Sequence, residues 1–418
     1  MGFFNYFYES FHLSKIQYPE AVRKGNAMSV LHGMTWDHPR GCASVRAVSE
    51  EFARLGGARI QWTARSLKDF EDFPVETLAK QYDLMMIDHP HIGAAVRAGA
   101  LEAMDGWLDP DFLLDQKRNS VGPGYATYAW AGRQWALSVD EAAQVCAWRP
   151  DALDAPLPQS WDAVLRLAGS LPKTRCMVLP LAPTHAFSSF ITLNANIGGP
   201  DFWQGETRLR RESALEAFSV LERLAAAADP RSFAMDPILA LDAMTAQKGD
   251  PDIVYIPLIY GYSNYARQGY RARVARFGDM PSATDQPRGS MIGGVGIAVS
   301  ARSAHKREAM AFARHLASAE CQRGTLYFSG GQPGYLQAWR DRAVNADCGD
   351  FFLNTLRTLE LSYVRPRRPG YCAFQQRAGE LIRAALLNKT SGAELVDDFN
   401  RLFTELVPAG NEPNDGLP

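Results

Sequence analysis

The sequence predicts an α/β protein whose sheet is mainly parallel and covered by helices. Three observations predict it. From Met28 onward, strand, loop and helix signals alternate regularly. The run DLMMI at 83–87 is apolar throughout its last four residues, as expected of a strand buried on both faces. A second such run, MIGGVGIAV at 291–299, returns late in the chain and leads into a helix-forming stretch. At 418 residues, and roughly 100–200 residues per domain, the chain holds two or three domains or one large two-lobed unit.

Each element has a local reason. Residues 29–34 (SVLHGM) read as a strand and 35–41 (TWDHPRG) as turn chemistry, punctuated by Pro39 and Gly41. Residues 43–55 carry Val45, Val48, Phe52 and Leu55 on one helix face. Gly56 and Gly57 close that helix. A second strand at 58–62 and a second helix at 75–82 precede the apolar third strand. That strand ends in a turn-rich loop, DHPHIG at 88–93, before a helix at 94–100. In parallel sheets ligands bind outside the carboxyl ends of strands. Trp36, Asp37, His38, Asp88, His89 and His91 all follow such ends, so they are expected to face one crevice.

The middle is richer in aromatics and glycine (GPGYATYAWAGRQW, 122–135) and leads into a long apolar stretch at 136–148. Ser160 is a good N-cap for a helix carrying Trp161, Val164, Leu165 and Leu167. Further α/β pattern runs to about residue 258, a helix is expected over 303–319, and 353–407 reads as mostly helical. Residues 408–418 (PAGNEPNDGLP) have the composition of a disordered tail. There is no repeat with a period of 20–50 residues.

Composition excludes several classes. Lys+Arg 44 against Asp+Glu 46 leaves −2, with no global pull toward nucleic acid or an anionic membrane. No apolar run reaches the roughly 18 residues of a membrane span. The six cysteines form no CxxC pair, and scattered single cysteines read as small buried hydrophobes. No metal or cofactor is expected. Residues 1–27 lack the basic start, apolar run and small-residue cleavage site of an export signal, in that order. They read as an N-terminal extension, with Met28 as an alternative start. His185 near Ser188 and Ser189 has no GxSxG elbow, and GGVG at 293–296 lacks a phosphate-loop lysine.

Three stretches carry a family resemblance: ALSVDEAAQVCAWRPDAL followed by PQSWDAVLRLA, then IGGVGIAVSARSAHKREAMAFARHLASAECQ, then GGQPGYLQAW, with Arg365-Pro366 and Pro369-Gly370-Tyr371 behind it. Their order resembles the extracellular solute-binding proteins of ABC importers, the group of the maltose and sugar receptors. The resemblance implies a periplasmic-binding-protein fold of two α/β lobes, joined by a hinge of crossing segments expected near 140–144, 257–262 and 317–322. It places 28–140 plus 263–318 in the first lobe and 141–262 plus 319–407 in the second. It also implies a monomer that traps a small polar solute by hinge closure and delivers it to permease subunits, with a periplasmic location set against the missing signal.

The residues themselves suggest the ligand chemistry. Trp36, Tyr125, Tyr128, Trp130, Tyr262 and Tyr265 offer rigid aromatic faces for a sugar ring. Asp37, Asp88 and Asp140 can accept hydrogen bonds from its hydroxyls. Arg40, Arg288 and Arg367 permit a carboxylate or phosphate instead, so a sugar or a sugar-like acid stays open. Asp37-His38 and Asp88-His89-Pro90-His91 admit plain turn bonding, metal ligation or acid/base chemistry. The alternative function is therefore a cytosolic enzyme or ligand sensor on the same scaffold. A third is a partner-binding protein using the aromatic segment 3–11.

Overall fold

The computed structural model describes residues 29–408 apart from 68, 70–73, 205–206 and 250. The expected N-terminal extension, the segment 3–11 and the tail beyond 408 lie outside the described residues.

β1 (Val30–Trp36), β2 (Arg59–Arg65) and β3 (Leu84–Ile87) form a parallel unit in the order β2-β1-β3. α1 (Ser44–Arg54) buries Val45, Val48 and Phe52 as its spacing predicts. Leu55 is 46% exposed, because the helix has already ended and Gly57 packs where the next turn would go. The helix expected at 75–82 is a single turn, Val75–Leu78.

β4 (Ala136–Trp148) is the longest strand and all but its last residue are buried. Its first half pairs antiparallel with β8 (Ile292–Val299), which pairs antiparallel with β3. Its second half pairs antiparallel with β6 (Asp252–Tyr260) and β7 (Arg276–Gly278). β5 (Arg175–Met177) adds to β6 in parallel. One strand thus serves both ends of an eight-stranded sheet ordered β2-β1-β3-β8-β4-β6-β5, with β7 on β4.

Helices bury these surfaces in three cores. The first joins β1, β3, α1 and α5 (Lys306–Ala317) through residues such as Leu31, Phe52, Ile297 and Phe312. The second packs α2 (Trp161–Ser170), α3 (Pro183–Gly198), α4 (Arg211–Ala227), α7 (Tyr371–Asn388) and α8 (Gly392–Leu406) around Phe187, Phe190, Phe374 and Phe399. The third sets α6 (Phe351–Glu360) and Trp339 against Ile256, Ile259 and Phe277. Along β6, Tyr255 and Leu258 enter the second core while Ile256 and Ile259 enter the third. The second and third cores are therefore two faces of one sheet. Among the described residues, no helix is long and apolar enough to cross a membrane.

Core membership changes at two further points. Along β8, Ile292 packs in the third core and Val295 in the first. Leu326 belongs to the first core and Tyr327 to the third. Tyr265, Ala266, Ala275 and Phe277 pack in the third core. After β4 the chain returns along the same sheet as β6.

Gln332 ties these segments together. Its Oε1 accepts from Ser263 N at 2.8 Å, and its Nε2 donates to the carbonyls of Glu141 (2.8 Å) and Gly261 (3.0 Å). Gln322 donates to the Val139 and Leu316 carbonyls and accepts from Gly334 N. Truncating Gln332, 1% exposed, removes a hydrogen bond from three buried backbone groups, of which the Gly261 carbonyl keeps its bond from Arg40. The Gln332→Ala variant should lose about 2–4 kcal/mol of unfolding free energy in urea titration, since each unpaired buried group costs roughly 1–3 kcal/mol. An unchanged midpoint would contradict this role.

Candidate functional site

Between the first core and the other two lies a small cleft of about 80 Å³. Trp36 and Arg40 reach it from the end of β1, Asp88 from the end of β3, and Asp140 with Gly293, Gly294 and Val295 from the crossing strands. From the other side come Thr184, His185 and Ser188 on the first turns of α3, Tyr260 and Tyr262 at the end of β6, Arg365, and Gln375 on α7.

Two buried ion pairs dominate its electrostatics. Arg40 grips Asp140 through two parallel bonds: Nε donates to Oδ2 at 2.7 Å and Nη2 to Oδ1. Its Nη1 donates to the Gly261 carbonyl at 3.1 Å, and the guanidinium lies 4.6 Å from the centre of the Tyr262 ring. Burial pushes the Asp140 carboxyl up, with Arg40 opposing it. On the far side, one Arg365 nitrogen sits 2.8 and 2.7 Å from the two Asp88 oxygens. Burial alone would raise the Asp88 carboxyl, but Arg365 and the hydrogen bond from His89 outweigh it and hold it well below the usual range. Arg365 also donates to Gln375 Oε1 at 3.0 Å. The cleft therefore presents two cations and two anions, each already paired.

Among the described residues, two groups at the cleft are not saturated, the Arg365 Nε and His185. His185 is 5% exposed, its Nδ1 has no hydrogen-bond partner, and its ring stands edge-on to Tyr260 with centroids 6.4 Å apart. Burial lowers its pKa to about 4, so the imidazole is neutral at pH 7.

Of the residues singled out from sequence, Trp36, Arg40, Asp88, Asp140 and Tyr262 line the cleft. The others do not. Asp37 is exposed, and its backbone N–H is bound to the Arg65 carbonyl. His38 turns behind the cleft: its Nδ1 accepts from Arg40 N, and its ring packs on Tyr262 and Tyr265. His89 is buried beside Asp88, Nδ1 at 3.1 Å. Tyr128 and Trp130 belong to the first core, Tyr128 donating to the Ile87 carbonyl, and Tyr125 packs half-buried against that core. Tyr265 is buried in the third core and donates to Asp242. Arg288 is exposed, away from the cleft. Arg367 donates to the Ala126 and Ala129 carbonyls. The strand-end rule found the first lobe's loops but could not say which side chain of each loop turns inward. Among the described residues, no group of three or more His, Cys, Asp or Glu is placed to hold a metal.

The second lobe's contribution went unread. Thr184, His185 and Ser188 follow Met177, the end of β5, through a Pro-containing turn, as Asp88 follows β3. The same rule applied to 175–183 points to them. Arg365 and Gln375 carry no local signal, because residues 363–371 reach the cleft only through tertiary packing.

The comparisons with known proteins agree with this architecture. Residues 46–323 match the family described as bacterial extracellular solute-binding protein, and the chain belongs to that family. An ABC transporter solute-binding protein from Agrobacterium radiobacter K84, in complex with ribitol, has the same fold: TM-score 0.77, 17% identity, covering 90% of this chain and 98% of that one. Maltose-bound MalE3 of T. maritima superposes with TM-score 0.77 at 15% identity, over 90% and 100%. A Thermotoga lettingae TMO solute-binding protein bound with alpha-D-tagatose gives 0.74 at 14%, over 90% and 99%. No curated protein sequence matches this chain.

Burial sets a pH dependence. His38, His89 and His185 have pKa values lowered from 6.5 to about 3, 4 and 4, with desolvation the largest cause in each. The unfolded chain takes up these protons first as pH falls, so their contribution is complete above about pH 6.5 and is lost progressively toward pH 4. The urea midpoint should fall between pH 7 and 4.5, and His185→Gln should flatten that slope by up to one proton. A slope unchanged in the variant would show that His185 is not held neutral by the fold.

Proposed function

We propose that this protein is the solute receptor of an ABC-type importer, which closes its two lobes over a small, neutral, polyhydroxylated solute. The observation that carries the reading is the paired state of the cleft's charges. A sugar acid needs an arginine whose charge is not already balanced. Here Asp140 balances Arg40, which also donates to the Gly261 carbonyl, and Asp88 balances Arg365, which also donates to Gln375 and keeps an unpartnered Nε. A neutral sugar or polyol needs acceptors and donors held at fixed angles, with an aromatic surface beside them. Asp88 and Asp140 supply acceptors, Thr184, Ser188 and Gln375 supply both, and Trp36, Tyr260 and Tyr262 supply surface. The neutral imidazole of His185 adds a further polar group at the cleft wall. Of the sequence expectations this favours the sugar over the sugar-like acid.

No nucleophile paired with a base lines the cleft among the described residues, so we read the site as binding without turnover. The family is extracellular, and we infer an exported receptor that presents its closed form to permease subunits. For the lobes we propose 29–140 with 295–326, and 141–294 with 327–407, following the cores.

A thermal-shift panel tests this. Neutral polyols, mono- and disaccharides that bind should raise the melting temperature by mass action, while the matching aldonic and uronic acids should not. Affinity should change little between low and high salt, because no net charge is neutralised. His185→Ala should weaken the binding solute about tenfold, the worth of roughly one hydrogen bond. Preferential binding of acids, or turnover of any solute, would reject the reading.

A further inference from the structure

We propose that the two lobes are latched directly to each other by the loop carrying Arg365 and Arg367, so that the receptor closes without a solute. This rests on the two-lobed hinge reading above but not on the identity of the solute. The loop belongs to the second lobe, since Val364 packs against the third core and Tyr371 lies in the second. Its partners belong to the first. Asp88 follows β3, whose four residues lie in the first core, and takes the Arg365 guanidinium. Arg367 donates to the Ala126 and Ala129 carbonyls, and its guanidinium lies 5.7 Å from the Trp130 ring centre. Gly93 N donates back to the Arg367 carbonyl at 3.1 Å. Both arginines are 4% exposed.

A lone buried ion pair can be neutral against hydration of its parts. This seam is more than a lone pair. A single loop makes four polar contacts across it, and three of them engage backbone groups already fixed by the first lobe. Gly93 provides an independent mark of how tight the seam is: a Cβ there would come within 2.1 Å of the Arg367 carbonyl oxygen. In a receptor closed by its solute alone, the closed form is favoured only by contacts that the solute makes with both lobes. Here contacts between the lobes favour it before any solute enters.

The test is small-angle scattering on full-length protein stripped of solute by unfolding and refolding. The solute-free wild type should scatter as the closed structure does. Arg365→Gln strands Asp88 in the closed seam, and Gly93→Ala wedges the seam while leaving every charge in place. Both should shift the closed-to-open ratio toward open by about tenfold or more and enlarge the radius of gyration. Gly93→Ala sits in a helical turn and keeps the variant series informative if Arg365→Gln folds poorly. An expanded solute-free wild type, or a folded Gly93→Ala protein as compact as the wild type, would overturn the latch. A panel in which no solute raises the melting temperature would instead defeat the receptor reading and leave the scattering result untouched.

Discussion

A strand that belongs to two lobes at once must satisfy its polar side chains with partners that stay in place when the lobes turn. β4 carries Ser138, Asp140, Glu141 and Gln144, all buried, at the centre of the molecule. Asp140 is neutralised by Arg40. Burial pushes the Glu141 carboxyl well above its usual range, and Ser138 Oγ donates to its Oε1 at 2.5 Å. Gln144 donates to Ser189 Oγ and accepts from Thr192 Oγ1, which itself accepts from Met291 N. Leaving any of these unpaired in so dry a place would cost more than a surface pair could ever contribute.

The glycines of β8 follow from the same constraint. Gly294 has φ +136°, and a Cβ there would meet the Asp140 carbonyl oxygen at 2.5 Å and Glu141 Oε2 at 2.7 Å. Gly293 leaves room for the Tyr260 ring, 2.8 Å from where its Cβ would lie. The GGVG segment is therefore neither a phosphate loop nor merely a packed strand. It is a strand stripped of side chains where the hinge acid and the cleft tyrosine need the space.

The cleft inherits its character from this arrangement. Each cation in it was first required by a buried anion, so little positive charge remains for a ligand. On the function proposed here, recognition falls to directional neutral groups and aromatic surface, which suits hydroxyls better than carboxylates. Two of the histidines that suggested chemistry in the sequence make structural contacts beside the cleft. His38 accepts from Arg40 N and backs Tyr262, while His89 bonds Asp88. His185 is the histidine that reaches the cleft.

Local pattern was enough for the parallel unit β2-β1-β3, the face of α1, the Ser160 cap and the long strand at 136–148, because each depends on periodicity or on a residue's own backbone preference. It was also enough for the resemblance that the family match bears out, and for Trp36, Arg40, Asp88, Asp140 and Tyr262 as cleft residues. It was not enough to tell which partners β6 and β8 take, because their apolar signatures are similar. Nor could it pair Arg365 with Asp88, 277 residues away, or turn His185 inward. Whether a charged side chain in a loop is free to meet a ligand depends on what sits opposite it after folding. Sequence specifies the residue types available, and tertiary packing decides which of their hydrogen bonds are already taken.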